Sequence, residues 1–180
     1  MKVLGLIGSP RKGGNTDLLV EKILEGASAV GHSTEKLYLY DVNFSPCVDC
    51  RGCKKGNLQC VVNDGMQTLY PKLIDADVII FGTPLYWYGP TGTMKNMMDR
   101  LRPFVLSKKL KGKKAILVVP SQEGSSACSS VVEMFELTFK YLGIDFVDKL
   151  LVTAYEKGEV VNKPDVIQKA FKLGKLLKQE

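Results

Sequence analysis

Four closely spaced cysteines are the residues of this chain best suited to metal chemistry. They lie in the run CVDCRGCKKGNLQC and are Cys47, Cys50, Cys53 and Cys60. Two consecutive CxxC steps bring three thiols within reach of one metal centre, and the fourth can fold back onto it. Thiolates select zinc or iron–sulfur clusters, and four of them suffice for a 4Fe-4S cluster. The spacing therefore predicts one metal centre with these four residues as its ligands.

The spacing of the cysteines also favours one kind of metal centre. Structural zinc sites usually separate two CxxC steps by a longer loop, whereas three of these cysteines occupy consecutive steps, so iron–sulfur is favoured over zinc. Zinc, a set of reduced thiols in a surface loop, and a redox disulfide remain the alternatives. The fifth cysteine, Cys128, stands apart in an apolar segment and is predicted to be a buried packing residue.

A second candidate site is the segment GSPRKGGNT at residues 8–16, which follows a predicted strand and opens a predicted helix. Its glycines let the backbone approach an anion, and N–H groups at a helix N-terminus favour phosphate. The residues predicted to bind it are Ser9, Arg11, Lys12, Gly14, Asn15 and Thr16. Because the segment matches neither a nucleoside-triphosphate loop nor the GxGxxG pattern of a dinucleotide site, a terminal monophosphate is the predicted ligand. A strand-to-helix turn without a ligand is the alternative.

Two further loops are predicted at the same edge of the sheet. The segment TPLYWYGP follows the third predicted strand, at the edge where open α/β folds bind ligands. Its aromatic residues Tyr86, Trp87 and Tyr88 suit either the wall of a planar ring or a dimer interface. The segment SQEGSS begins at Ser121 and follows the fourth predicted strand. Backbone N–H donors of this segment, which includes Gly124, could stabilise negative charge on such a ring.

Alternating apolar segments predict the fold. Strands are predicted at residues 2–7, 33–39, 77–82, 114–119 and 144–152, and helices at residues 16–30, 64–75, 93–101, 126–142 and from Pro164 onward. Strands that alternate with helices form a parallel sheet covered on both faces, so the predicted fold class is α/β. Residues 1–180 suit a single domain, with a cysteine-rich insertion at about residues 40–62.

Composition and charge narrow the classes of function. Apolar residues make up 45% of the chain and charged residues 24%, as in ordinary globular proteins. The basic residues behind the net charge of +6 are spread along the chain without interleaved aromatic residues, which argues against nucleic-acid binding. The N-terminal apolar run is too short for a signal peptide or a membrane span, so we expect a cytoplasmic protein without membrane contact. No acid–base dyad or catalytic triad is recognisable, so no catalytic side chain is predicted.

Three motifs, in this order along the chain, resemble a known family. The segment GSPRKGGNT, the cysteine run and the segment FGTPLYWYGPTGTMKNMMDR are similar to the NADPH-dependent FMN reductase superfamily. Within it, CxxCxxC with a fourth cysteine resembles the iron–sulfur flavoprotein family. The resemblance implies a flavodoxin-like three-layer fold with a five-stranded parallel sheet of order 2-1-3-4-5. It also implies bound FMN, homodimers or homotetramers, and a cluster near the flavin of a neighbouring subunit.

The resemblance also implies roles for individual residues. The residues that match the family's phosphate contacts are Ser9, Arg11, Asn15 and Thr16. Those that match its loop along the isoalloxazine ring are Pro84, Leu85, Tyr86 and Trp87. Lys95, Asp99 and Arg100 fall in a K-x-x-x-D-R helix, for which the implied role is packing and subunit contact.

An electron-transfer function follows from the same resemblance. It predicts an FMN-binding flavoprotein with a 4Fe-4S cluster that accepts electrons from ferredoxin, and the basic net charge suits such an acidic carrier. One alternative is a cluster-free reductase of FMN or quinones in which NAD(P)H supplies the hydride. Another is a flavodoxin-type carrier or a flavin-binding regulatory module, although simple flavodoxins are typically acidic and this chain is basic.

Overall fold

The sheet is built from five parallel strands. The computed structural model describes residues 1–56 and 59–177. The strands are β1 (Lys2–Ile7), β2 (Ser33–Tyr38), β3 (Val78–Gly82), β4 (Lys114–Ser121) and β5 (Asp145–Thr153). Their order in the sheet is β2-β1-β3-β4-β5, and every neighbouring pair is parallel. This order confirms the predicted flavodoxin-like topology.

Alternate residues of the central strands point into two separate cores. Leu4 and Leu6 of β1 are buried on one side of the sheet, and Val3 and Ile7 on the other. β3 repeats the pattern and is buried along its whole length. Because a parallel strand covered on both faces needs a continuous apolar run, these strands carry no polar side chain in the middle of the sheet. Polar groups that could act on a ligand are therefore confined to the ends of the strands.

Helices cover both faces of the sheet. They are α1 (Asn15–Ser28), α2 (Met66–Asp75), α3 (Gly92–Asp99), α4 (Pro103–Ser107), α5 (Ser129–Leu142) and α6 (Pro164–Lys175). α1 and α6 pack on one face, and α2, α3, α4 and α5 pack on the other. None of the helices in the described part of the chain has the length and apolar character needed to cross a bilayer.

Besides shifts of one or two residues at the ends of α1 and α3, the helices differ from the prediction at three places. The helix predicted at residues 64–75 begins at Met66, because the carboxylate of Asp64 accepts the N–H of Met66 at 3.1 Å and shapes the preceding turn. The helix predicted at residues 126–142 opens as a 3₁₀ turn and becomes α-helical at Ser129. The sequence pattern does not predict the short helix α4, which begins at Pro103, a residue favoured at the first helical position.

α1 and α6 approach so closely that their contact requires two glycines. A β-carbon at Gly26 would overlap the carbonyl oxygen of Phe171, and a β-carbon at Gly174 would overlap that of Ile23. In both cases the neighbour is backbone, which cannot turn aside as a side chain can. The packing of α6 onto α1 therefore depends on glycine at these two positions.

Replacement of Gly174 by alanine should force α6 away from α1. Overpacking a core typically costs about 1–3 kcal/mol. Because the obstacle here is backbone, we expect Gly174→Ala to lower the free energy of unfolding by about 2 kcal/mol or more. Gly92→Ala is the matched control, since Gly92 begins α3 and a β-carbon there meets nothing within 4 Å. Urea denaturation measures both variants, and equal stability would contradict the close helix contact.

Candidate functional site

The loops that follow β1, β3 and β4 are joined by hydrogen bonds at the carboxyl edge of the sheet. The N–H of Gly8 donates to the carbonyl of Gly82 at 2.7 Å, and the hydroxyl of Thr91 donates to the carbonyl of Gly8 at 2.6 Å. The N–H of Leu85 donates to the carbonyl of Pro120 at 3.3 Å. These bonds hold the predicted phosphate segment, the aromatic segment and the start of the SQEGSS segment side by side.

The N-terminus of α1 offers backbone donors without intrahelical partners. The first bond of the helix joins the N–H of Leu18 to the carbonyl of Gly14 at 3.0 Å. The N–H groups of Asn15, Thr16 and Asp17 therefore have no acceptor within the helix. Gly14 is the N-cap and provides no side-chain hydrogen bond. Free N–H groups and the helix dipole both favour an anion, so the segment has the backbone geometry that a phosphate site needs.

The two basic residues of the phosphate segment have different surroundings. Arg11 is exposed, and its N–H donates to the hydroxyl oxygen of the buried Ser9 at 3.2 Å. The Nζ of Lys12 is drawn toward the end of β2, where it lies 2.7 Å from Asp41 and 4.9 Å from the centre of the Tyr38 ring. Arg11 is therefore better placed than Lys12 to meet an anion at this segment.

Asn15 ties the start of α1 to the segment after β5. Its Nδ2 donates to the carbonyl of Glu156 at 2.8 Å, and its Oδ1 accepts the N–H of Val160 at 3.2 Å. Both polar groups of the side chain are thus bonded within the protein, which leaves the backbone N–H as the free donor of this residue. Thr16, beside it, is 2% exposed. The sequence pattern does not predict this internal role of Asn15.

Asp17 fixes the turn that precedes α1, and the sequence pattern does not single it out. Its carboxylate accepts the N–H of Gly13 at 2.7 Å, the hydroxyl of Tyr38 at 2.8 Å and Nζ–H of Lys36 at 3.1 Å. Burial opposes ionisation of this carboxyl group, but the three hydrogen bonds outweigh burial and lower the pKa of Asp17. The sequence signal is weak, since it consists of an acidic residue in the first turn of a helix.

The aromatic segment folds into a tight turn that exposes its rings. Tyr86 and Gly89 form an antiparallel bridge through backbone hydrogen bonds of 2.8 and 3.0 Å. Between them, Trp87 and Tyr88 have φ of +49° and +62°, the pattern of a type I′ turn. Bulky residues rarely adopt this conformation, and strain of this kind clusters at binding sites. Trp87 is 97% exposed, so its ring is open to a ligand or to a partner chain.

The other predicted ring contacts are held by internal bonds. Pro84 and Leu85 are partly buried at the base of the turn. The hydroxyl of Ser121 donates to the carbonyl of Gly124 at 2.9 Å, and the Sγ of Cys128 lies 3.4 Å from the same oxygen. Gly124 has φ of +74°, a conformation that favours glycine. The loop after β4 is thereby held in shape, and Cys128 is fully buried, in agreement with its predicted packing role.

The four cysteines of the predicted metal centre line a single cavity. It lies between the loop that follows β2 and the end of α3, and the cysteines in its lining are Cys47, Cys50, Cys53 and Cys60. All four candidate donors are sulfur, which fits a soft metal centre. Burial and the neighbouring Cys60 raise the pKa of Cys53. Within residues 1–56 and 59–177, however, no three histidine, cysteine, aspartate or glutamate side chains are arranged to hold a metal ion.

The segment at residues 45–64, the cysteine loop, thus brings its thiols around one cavity without directing them at a common point. Residues 57 and 58, which belong to the predicted cysteine-rich insertion, lie outside the described residues. Two observations fit this loop to a cluster: its candidate donors are all sulfur, and they line the same cavity.

The K-x-x-x-D-R motif has an exposed part and a buried part. Lys95 and Asp99 form an ion pair of 2.6 Å on the surface of α3. Arg100, just after α3, points inward and is 1% exposed although its charge is permanent. A charge so deeply buried needs partners, because desolvation of an unpaired ion costs several kcal/mol.

Arg100 finds its partners in the cysteine loop. Its Nη1 donates to the carbonyl of Ser45 and to Oδ2 of Asp64, both at 2.7 Å. Its Nη2 donates to Oδ1 of Asp64 at 3.0 Å and to Sγ of Cys60 at 3.4 Å. Burial opposes ionisation of Asp64, but the hydrogen bonds from Arg100 and from backbone N–H groups lower the pKa of this carboxyl group. Arg100 therefore links both ends of the cysteine loop, at Ser45 and Asp64, to the end of α3.

Comparison with known proteins identifies the family. The family model described as NADPH-dependent FMN reductase matches residues 1–155, and the chain belongs to this family. Among solved structures, the NAD(P)H:quinone oxidoreductase from Methanothermobacter marburgensis aligns over 99% of both chains with a TM-score of 0.78 and 18% identity. The Trp repressor binding protein from Bacillus subtilis aligns over 99% of this chain and 100% of that chain, with a TM-score of 0.72 and 24% identity. These two structures show the shared fold.

Sequence relatives include two kinds of flavoprotein. An iron–sulfur flavoprotein of Methanocaldococcus jannaschii is 38% identical over 126 residues, which are 69% of this chain and 65% of that protein. An iron–sulfur flavoprotein of Archaeoglobus fulgidus is 39% identical over 102 residues, which are 57% of this chain and 49% of that protein. The Bacillus subtilis protein YwqN, described as an NAD(P)H-dependent FMN-containing oxidoreductase, is 26% identical over an alignment of 181 positions that covers 96% of each chain. The chain thus spans 65% of the length of the Methanocaldococcus jannaschii protein and 49% of the length of the Archaeoglobus fulgidus protein.

Replacement of Asp17 by asparagine should destabilise the phosphate segment in a pH-dependent way. Hydrogen bonds to a charged group contribute about 1.5–3 kcal/mol, so we expect Asp17→Asn to lower the free energy of unfolding at pH 7 by about that amount. The pKa of Asp17 is lowered in the folded protein, so its contribution is complete above the ordinary aspartate pKa. The contribution is lost as the pH falls through the folded pKa, and the difference between the two proteins should therefore shrink below about pH 4.

Denaturant unfolding of the apoprotein between pH 3 and pH 7 measures this difference. Glu21→Gln is the control, because Glu21 also pairs with Lys36, at 3.2 Å, but is 45% exposed. An exposed pair of this kind contributes about 0–1 kcal/mol. Equal stability of Asp17→Asn and wild type at pH 7 would contradict the assigned role.

Proposed function

We propose that this protein is an FMN-binding electron-transfer flavoprotein in which the cysteine loop binds a 4Fe-4S cluster. The observation that carries the proposal is the cavity lined by Cys47, Cys50, Cys53 and Cys60, in a chain of the NADPH-dependent FMN reductase family. Similarity to proteins named iron–sulfur flavoproteins supports the same reading.

The phosphate of FMN would be held at the start of α1. Ser9 and the N–H groups of Asn15 and Thr16 supply neutral donors, and Arg11 supplies charge. Lys12 would contribute less, because it is paired with Asp41. The chain has one phosphate segment and no second pyrophosphate motif, which favours FMN over FAD. Bound FMN would supply one- and two-electron redox chemistry.

The aromatic turn would hold the isoalloxazine ring. Pro84, Leu85 and Tyr86 lead into the turn, and Trp87 is its exposed tip. Contact of the Trp87 ring with the flavin, or its burial by a partner subunit, would offset the strain of the turn and cover its apolar surface. The proposal therefore includes a homodimer or homotetramer in which this turn lies between the flavin and a neighbouring subunit.

Fluorescence of Trp87 should report directly on flavin binding, since the chain has a single tryptophan. Titration of FMN into the apoprotein should quench this emission as the ring stacks on the indole. Stacking of a planar base on an aromatic side chain contributes about 1–3 kcal/mol, so Trp87→Ala should weaken FMN binding roughly tenfold. Tyr141→Ala removes another exposed ring, on α5, and should bind FMN as the wild type does. Unchanged emission on FMN binding, with unchanged affinity of Trp87→Ala, would exclude ring contact.

Ferredoxin, or a similar acidic carrier, would deliver the electrons. The net charge of +6 favours encounter with an acidic protein, and the encounter rate should fall as salt rises. Within the cysteine loop, Cys53 is buried and Cys50 is exposed, so the ligand set extends from the interior to the surface. A cluster bound there would supply one-electron transfer.

Replacement of any one of the four loop cysteines by alanine should lower the iron and acid-labile sulfide content of anaerobically reconstituted protein, because one thiolate ligand is lost. FMN content should be maintained, since the phosphate segment lies elsewhere in the chain. Cys128→Ala is the control, because Cys128 lies outside the loop, and it should retain iron and sulfide. Flavin reduction by reduced ferredoxin should slow in the loop variants and not in the control. Iron and sulfide analysis with EPR spectroscopy and stopped-flow absorbance measures these quantities.

A cluster-free NAD(P)H-dependent reductase is the second candidate function. It is favoured by the lack of an assembled metal-binding group in the described residues and by similarity to YwqN over 96% of the chain. Wild-type protein that binds FMN but holds no iron after reconstitution, and that NADPH reduces rapidly and stoichiometrically, would establish this second candidate in place of the first.

A further inference from the structure

The guanidinium of Arg100 turns two N–H groups toward the side on which Cys60 lies. This group is planar and carries five N–H donors in a rigid arrangement. One N–H of Nη1 and one N–H of Nη2 form a fork on the carboxylate of Asp64, at 2.7 and 3.0 Å. The second N–H of Nη2 donates to Sγ of Cys60 at 3.4 Å. In a planar guanidinium the Nε–H is parallel to that second N–H, so both donors face the side on which Cys60 lies.

The Nε–H of Arg100 is buried and has no acceptor within the part of the chain that the structure describes. A buried donor without a partner costs about 1–3 kcal/mol, and native proteins contain few of them. The donor beside it is bonded to sulfur, and Arg100 lines the cavity that the four loop cysteines share. A further sulfur atom held in this cavity would be a suitable acceptor for Nε–H.

We propose that Arg100 is a positioning residue for the metal centre of the cysteine loop and raises its reduction potential. Its Nη2–H holds the sulfur of Cys60, and its Nε–H donates to a second sulfur of the bound cluster. This inference rests on the proposed function, because it requires a cluster in the loop.

The effect on potential follows from charge. Reduction makes a cluster more negative by one electron, so N–H groups directed at its sulfurs, and a cation beside it, stabilise the reduced form more than the oxidised form. Arg100 keeps its charge throughout the physiological pH range. Asp64 neutralises part of that charge, and its two-oxygen contact fixes the plane of the guanidinium.

Arg100→Lys tests the proposal, because lysine keeps the charge but offers one nitrogen, which cannot meet Asp64 and two sulfurs together. We expect the one-electron reduction equilibrium of the cluster to shift about tenfold toward the oxidised form, equivalent to a midpoint potential about 59 mV lower. Arg102→Lys is the matched control. Arg102 lines the same cavity but pairs with the exposed Asp49 at 2.8 Å, so this change should leave the potential at its wild-type value. Redox titration followed by EPR measures all three proteins.

The outcomes separate this inference from the proposed function. A cluster of wild-type potential in R100K overturns the inference alone, whereas a wild-type protein that takes up no iron and sulfide overturns the proposed function and the inference together. R100K that keeps FMN but fails to assemble a cluster supports the positioning role.

If R100K loses FMN as well, the wild type provides the test. Arg51 and Arg102 line the same cavity, so pulsed ENDOR of reduced protein labelled with 15N-arginine should show a nitrogen coupling to the cluster that persists in both R51K and R102K. Its absence overturns the inference.

Discussion

Burial of the parallel sheet on both faces is the constraint that decides where this protein can carry polar chemistry. β3 is buried along its whole length, and β1 sends alternate apolar side chains into the two cores. A polar group in the middle of such a sheet would lose its hydration without gaining a partner. The residues that could bind a ligand or take part in a reaction are consequently found in the loops at the strand ends. Hydrogen bonds between these loops, such as that from the N–H of Gly8 to the carbonyl of Gly82, join them into one continuous surface.

Two buried ionic groups shape the loops that matter most for the proposed function. Asp17 is 3% exposed and holds the phosphate segment through the N–H of Gly13, with Lys36 as its counter-ion. Arg100 is 1% exposed and holds the cysteine loop, with Asp64 as its counter-ion. In each case a single charge is matched by one opposite charge and by hydrogen bonds that orient the loop. The two sites therefore have the same kind of support, although they share no residue.

Local sequence pattern predicts the strands and the main helices, because apolar periodicity is a property of neighbouring residues; residues 2–7 are both the predicted and the observed first strand. It cannot predict the side-chain contacts of the site, because their partners are distant in sequence. Asp17 meets Tyr38 across 21 positions, and Arg100 meets Ser45 across 55. The ion pair of Lys12 with Asp41 cannot be predicted for the same reason, because it depends on the path of the chain after β2. The type I′ turn escapes sequence reading because Trp87 and Tyr88 replace the Asn-Gly or Gly-Gly pair that usually marks it.

The fastening of the cysteine loop at its base has a consequence for chain entropy. The N–H of Ser45 donates to Asp64 at 2.9 Å, so residues 45 and 64 meet through the protein's own contacts. The entropic cost of bringing the ends of a loop together is thus already offset by the fold. A group that binds the four thiols therefore has to order only the interior of the loop, because contacts at its base already hold the two ends together. Loss of that group would loosen the interior of the loop and leave its base, and the sheet beneath it, in place.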